Sequence, residues 1–167
     1  MPTATYDKIQ THTVTSAQDT ITFSSIPQTY TDLVLVCHVV PVNNGAAYLG
    51  IRFNNSTDSY VFGGNYWTGG SSTTRGVYGG SDSQIEIIGN QFQSFGAFTV
   101  NCDIFDYADA SIYKTAITHS RTVDNTSRSL ATTWTIAQAI STITIKTNIA
   151  ACIGVGSMFT LYGILRA

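Results

Sequence analysis

Ser157 closes the run Gly154-Val155-Gly156-Ser157, the place where a serine of this chain comes nearest to the setting of an activated nucleophile. Acyl-transfer serines commonly sit in a G-x-S-x-G elbow, a sharp turn between strand and helix that presents Oγ to a base. Here the last glycine is missing and the segment leads into residues of strand character, so it reads as a turn. His12, His38 and His119 could meet in space as metal ligands beside a carboxylate, but none has ligand spacing. His38 follows Cys37 on a candidate strand, where neighbours point to opposite faces; a hydrogen-bonded core or interface histidine is expected. His12 and His119 lie among hydroxyl residues and are expected at the surface. Asp103, Asp106 and Asp109, with Asp82 elsewhere, are the carboxylates to weigh, because glycoside hydrolysis needs a pair and calcium needs a cluster of oxygens. Their spacing fits no calcium loop. Asp106-Tyr107-Ala108-Asp109-Ala110 reads as a turn in which Asp side chains accept from nearby backbone donors. The expectation is a protein that is not an enzyme, with no catalytic residue, metal or cofactor.

The segment from Asn55 to Ser83 is rich in serine, contains seven glycines, and carries Tyr60, Phe62, Tyr66, Trp67, Arg75 and Tyr78. It predicts a long decorated loop or a loose hairpin, and these six residues are the candidate partner-binding set. Aromatics set among Gly and Ser offer contact area at low entropy cost and could stack on sugar rings or fill a partner's pocket. They could equally fold back over the open end of a β-sandwich. The sequons in Asn54-Asn55-Ser56-Thr57 and Asn125-Thr126-Ser127 are read as turns, since the N-terminus has no secretory signal pattern.

These groups need elements to hold them, and composition says which. The chain has 167 residues, 43% hydrophobic and 11% charged, against roughly 25% charged in an ordinary soluble domain. Its 25 Thr and 16 Ser supply much of the polar surface, while one Glu and three Lys leave few strong helix formers. A net charge of −2 argues against nucleic acid as a partner, and no apolar run approaches the roughly 18 residues of a membrane span. Cys37, Cys102 and Cys152 are odd in number and far apart, which describes reduced core thiols rather than a disulfide framework.

Apolar residues recur at period two. Strands are expected at about 4–14, 20–23, 32–40, 48–54, 84–88, 97–107, 112–119, 129–136, 140–147 and 158–165. Residues 32–40 are apolar apart from Asp32 and His38, as in a central strand covered on both faces, and Asn43-Asn44-Gly45 suggests a hairpin to the next strand. Many short strands without a helix predict one all-β domain over 1–167, an antiparallel β-sandwich of jelly-roll type with a long Gly/Ser/aromatic loop.

Thr5-Tyr6-Asp7-Lys8-Ile9, Ser16-Ala17-Gln18 and the run Ile21-Thr22-Phe23-Ser24-Ser25-Ile26-Pro27-Gln28-Thr29-Tyr30-Thr31-Asp32-Leu33-Val34-Leu35-Val36 resemble segments of small virion proteins of tailed bacteriophages. Ile51-Arg52-Phe53-Asn54 and Phe159-Thr160-Leu161-Tyr162-Gly163-Ile164 are similar to segments at corresponding places in that family. Residues 55–135 match it only in their Gly, Ser and Tyr content. The resemblance implies a structural protein of the particle, on the head surface or in tail and fibre assemblies, and supplies no catalytic residue.

The leading expectation is therefore a capsid decoration or cement protein, made in the bacterial host cytoplasm and bound to the major capsid protein on the outer head of the virion. Little charge opposes association, and a homotrimer is expected. Candidate capsid-facing residues are Tyr6 and Ile9 on the first strand and Ile26 and Pro27 at the corner that follows the second. The alternative is a receptor-binding module of a tail tip or fibre, whose 60–78 segment recognises a host-surface glycan.

Overall fold

The computed structural model describes residues 6–42, 48–67, 74–88, 96–121 and 127–165, with the side chains of 66, 67, 74–82 and 88 outside that description. The described chain is twelve strands and no helix: β1 (Tyr6–Thr13), β2 (Thr20–Phe23), β3 (Asp32–Val39), β4 (Leu49–Phe53), β5 (Tyr60–Trp67), β6 (Thr74–Asp82), β7 (Ile85–Ile88), β8 (Phe98–Phe105), β9 (Lys114–Arg121), β10 (Ser127–Trp134), β11 (Ile143–Thr147) and β12 (Met158–Ile164). They form two antiparallel sheets, an eight-stranded one ordered β1-β12-β3-β8-β9-β10-β5-β6 and a four-stranded one ordered β2-β11-β4-β7. This is the architecture of a β-sandwich.

Alternation places the core. In β8 the residues Phe98, Val100, Cys102 and Ile104 are buried while Thr99, Asn101, Asp103 and Phe105 are not, the period-two signature of a strand with one covered face. Leu33, Leu35, Cys37 and Val39 of β3 and Phe159 and Leu161 of β12 join them, facing Ile21, Phe23, Ile51, Phe53, Ile85, Ile143 and Ile145 of the smaller sheet in one buried cluster. All three cysteines are buried and free, as expected. Burial pushes the Cys37 and Cys102 thiols well above the usual thiol range. A thiol reagent such as Ellman's is therefore expected to leave the native protein unlabelled and to titrate all three thiols once denaturant is added. Fast labelling without denaturant would contradict the packing.

Four expectations need correction. First, 60–67 and 74–82 are not a loop but two paired strands, with Gly63 opposite Tyr78 and Asn65 opposite Gly76. Glycines hide the alternation, and one of them serves close backbone approach: a Cβ on Gly64 would lie 2.2 Å from the Ser129 carbonyl oxygen of β10. Second, β3 and β4 do not pair; they lie in different sheets, because β3 turns its apolar face toward the layer to which β4 belongs. The Asn43-Asn44-Gly45 segment itself lies outside the described residues. Third, β3 is fully covered on one face only. On the outward side Asp32 and Val34 are buried, but Val36 is 42% exposed and His38 is exposed. Fourth, His12 is half-buried, its ring edge-on to Phe23 at 4.9 Å, and its Nε2 hydrogen-bonds Gln10.

The turns behave as the residue types require. Asp106 takes a positive φ of 49°, and the Asp109 carboxylate accepts from the Ser111 amide at 2.7 Å and hydroxyl at 2.6 Å. Those two bonds hold its carboxyl below the usual carboxylate range. Gly156, at φ +88°, turns the chain so that its amide reaches the Val14 carbonyl at 3.0 Å.

Candidate functional site

Ser157 is fully buried; its Oγ accepts from the Val40 amide at 2.9 Å and donates to the Gly154 carbonyl at 2.8 Å. A hydroxyl so occupied ties a turn to β3 and cannot meet a substrate. Among the described residues no three His, Cys, Asp or Glu come together as a metal site. Asp103 accepts a hydrogen bond from Asn101 Nδ2 at 3.2 Å, and Asp106 is in the turn already described.

The six proposed binding residues divide. Tyr60 is fully buried and Phe62 is 9% exposed, so neither is a surface residue. Tyr60 lies against Phe53 and Trp134, and its Oη accepts from the Phe53 amide at 2.7 Å. Burial raises its phenol to about 12. The sign is that of a group whose neutral form is stabilised by folding: full stability below the ordinary phenol pKa near 10, lost as pH rises toward 12. An alkaline unfolding step worth about 2–3 kcal/mol is expected between those values and should be absent in Tyr60→Phe, as followed by far-UV circular dichroism. Tyr66, Trp67, Arg75 and Tyr78 are in β5 and β6, with side chains outside the described residues. Of the four proposed capsid-facing residues, Tyr6 is 56% exposed and Pro27 is exposed. Ile9 is half-buried against the core and Ile26 is 4% exposed, a core residue. The corner is fastened from within, since Tyr107 Oη donates to the Pro27 carbonyl and Gln28 Nε2 donates to the carbonyls of Ile26 and Ile140.

What no single segment reveals is the outward face of the larger sheet, where register aligns residues far apart in sequence. One row across the strands reads Thr11, Thr160, Val36, Asn101, His119, Ser129, Asn65. A neighbouring row reads Met158, His38, Thr99, Arg121, Ser127. Over β3, β8, β9, β10 and β5 this face sinks into a concavity of about 540 Å³, walled by Val36, Thr99, Asn101, His119, Arg121 and Ser129 among others. Toward β1 and β12 the same face carries apolar groups among Lys8, Thr11 and His38: Met158 is 46% exposed, and Tyr6 sits edge-on to Tyr162 at 6.3 Å. Arg128, on the inward side of β10, forms an ion pair with Glu86 of β7 in the smaller sheet. In the sequence, parity makes His119 and Asn101 outward residues without showing that they are neighbours.

Comparison with known proteins adds no relative to this geometry: no family model, curated protein or solved structure matches the chain.

Proposed function

We propose that this chain is a non-enzymatic structural protein of a tailed-phage particle, a decoration or cement protein that lies on the outer head and binds the major capsid protein. The observation that carries the reading is the outward face of β1, β12 and β3, where Val36 and Met158, diagonal neighbours across β3 and β12, are 42% and 46% exposed, and Tyr6, at the other end of β12, is 56% exposed. Exposed apolar groups placed along one sheet face mark a surface suited to being covered by another protein. The sheet edges support contact through the face rather than by strand addition. β2 and β7 have four residues each, and β1 is bulged between Lys8 and Gln10. Short and bulged edges discourage pairing with a neighbouring chain.

The strand order supports a jelly roll as the finer topology. β1-β12-β3-β8 and β2-β11-β4-β7 are two four-stranded sets between which the chain alternates, with the hairpins β5–β6 and β9–β10 inserted and appended beside β8. A homotrimer at symmetric positions of the capsid completes the proposal, because closed symmetry lets identical faces be covered repeatedly. Three free buried cysteines agree with synthesis in the host cytoplasm. The tail-tip alternative loses Tyr60 and Phe62 from its binding set, since both are buried.

Copy number per virion, measured by quantitative gel analysis of purified particles, tests the reading. Many copies spread over the head are expected; a handful confined to the tail would sink it. Tyr6→Lys together with Met158→Lys should leave melting unchanged and abolish binding to heads that lack the protein.

A further inference from the structure

We infer that the concavity on the outward face of the larger sheet binds a short, linear oligosaccharide laid across the strands β8, β9, β10 and β5. The inference does not depend on where the protein sits on a particle.

Four features of the concavity point to that ligand. The first is the donor set. Asn101, His119, Ser129 and Asn65 stand side by side in one row, with Thr99, Arg121 and Ser127 in the next. Amides, imidazole and hydroxyls each offer both donors and acceptors, or switch between them, which is what a ligand made of hydroxyl groups requires. Asn101 already donates from Nδ2 to Asp103 at 3.2 Å, so its amide is held in one orientation with Oδ1 left to accept. Among the described residues, no side-chain hydrogen bond engages Thr99, His119, Ser129 or Asn65.

The second is pitch. Neighbouring strands lie about 4.8 Å apart, close to the length of one pyranose unit, so polar groups repeating once per strand can meet successive sugars of a chain crossing the sheet. The third is shape. About 540 Å³ falls within the roughly 300–1,000 Å³ of small-ligand sites, and Val36 at one end gives an apolar floor for the C–H face of a ring. The fourth is charge. Among the described residues no carboxylate lines the concavity, so these residues supply no acid pair of a glycoside hydrolase. The overall charge of −2 disfavours a nucleic-acid strand in the same groove.

The position in the fold fits an added function. The floor is shared between β3 and β8, which belong to the alternating four-stranded sets, and β9, β10 and β5, which come from the two inserted hairpins. The concavity exists only because the hairpins extend the sheet.

The test uses the full chain on a microarray of neutral and acidic bacterial surface oligosaccharides, with the best binder taken to isothermal titration. Binding of at least one glycan is expected. Ser129→Trp, which places an indole in the middle of the row, should abolish it. His119→Ala should weaken it by about threefold to tenfold, the worth of one or two hydrogen bonds. Ser129 and His119 are both exposed, so melting should not move, and Val155→Ser, at an exposed turn remote from the row, should bind as the parent does. Absence of any glycan signal above that of Ser129→Trp overturns the inference, as does binding that Ser129→Trp leaves intact. Attachment to capsids is measured in parallel. If Ser129→Trp blocks attachment while neither protein binds glycan, the concavity is a protein contact, and the decoration reading survives without the sugar site.

Discussion

Replacing Trp134 by alanine is expected to destabilise the protein by about 3–5 kcal/mol, a large part of the roughly 5–15 kcal/mol that holds a domain of this kind together. Trp134 is 1% exposed and is the largest of the fully buried side chains. It stands edge-on to Phe53 of β4 at 5.8 Å and stacks on Tyr60 of β5 at 6.4 Å with 20° between the rings. It therefore joins an appended pair of strands to the smaller sheet, and its loss leaves a void bounded by two rings that cannot both collapse into it. The indole Nε1 finds no hydrogen-bond partner in this pocket. A buried donor without an acceptor costs free energy, so Trp134→Phe should be much milder than the alanine, about 1–2 kcal/mol, since the smaller ring also removes the orphaned N–H. Urea unfolding of both variants checks this. Equal losses would contradict both points, showing that the ring volume is not decisive and that the indole N–H makes a stabilising contact.

Asn54→Ala is expected to cost about 2–4 kcal/mol, from two separable causes. The first is conformational. Asn54 has φ +48°, a left-handed position that asparagine tolerates and alanine resists. The second is a set of bonds to the strand connection opposite. Oδ1 accepts from the Ser141 amide at 2.9 Å and the Thr142 amide at 3.1 Å, and Nδ2 donates to the Ala139 carbonyl at 2.8 Å. Asn54→Gly removes only the bonds and keeps the backbone at ease, so it should recover about 1 kcal/mol of the loss. Chemical denaturation gives both values, and hydrogen exchange of the Ser141 and Thr142 amides should quicken in both variants. If glycine and alanine cost the same, the backbone component is refuted.

The all-β class and most strand positions were legible because burial on one face leaves a period of two, as in β8 and β9. β5 and β6 were not, since Gly63, Gly64, Gly76, Gly79 and Gly80 break the alternation, and at Gly64 the absent side chain answers a close approach of the β10 backbone, a demand set by the sheet and invisible locally. The hairpin expected between β3 and β4 failed for a related reason. A turn sequence shows that the chain can reverse, not whether it returns in the same sheet or the opposite one. Tyr60 was placed in a loop by the company it keeps, yet its ring meets Phe53 and Trp134 across two sheets. The outward concavity was the least legible feature: Asn65, Asn101, His119 and Ser129 become neighbours only when four strands pair in register.

The nesting of the strands has a consequence in time. β1 pairs with β12 and β2 with β11, so strands made first have their partners made last. During synthesis the hydrogen-bonding edges of β1, β2 and β3 that await β12 and β11 stand open, and pairings of such long sequence separation form slowly. Neither sheet can therefore close before β11 and β12 have been made. The nascent chain, rather than the finished protein, is the form most in need of a chaperone.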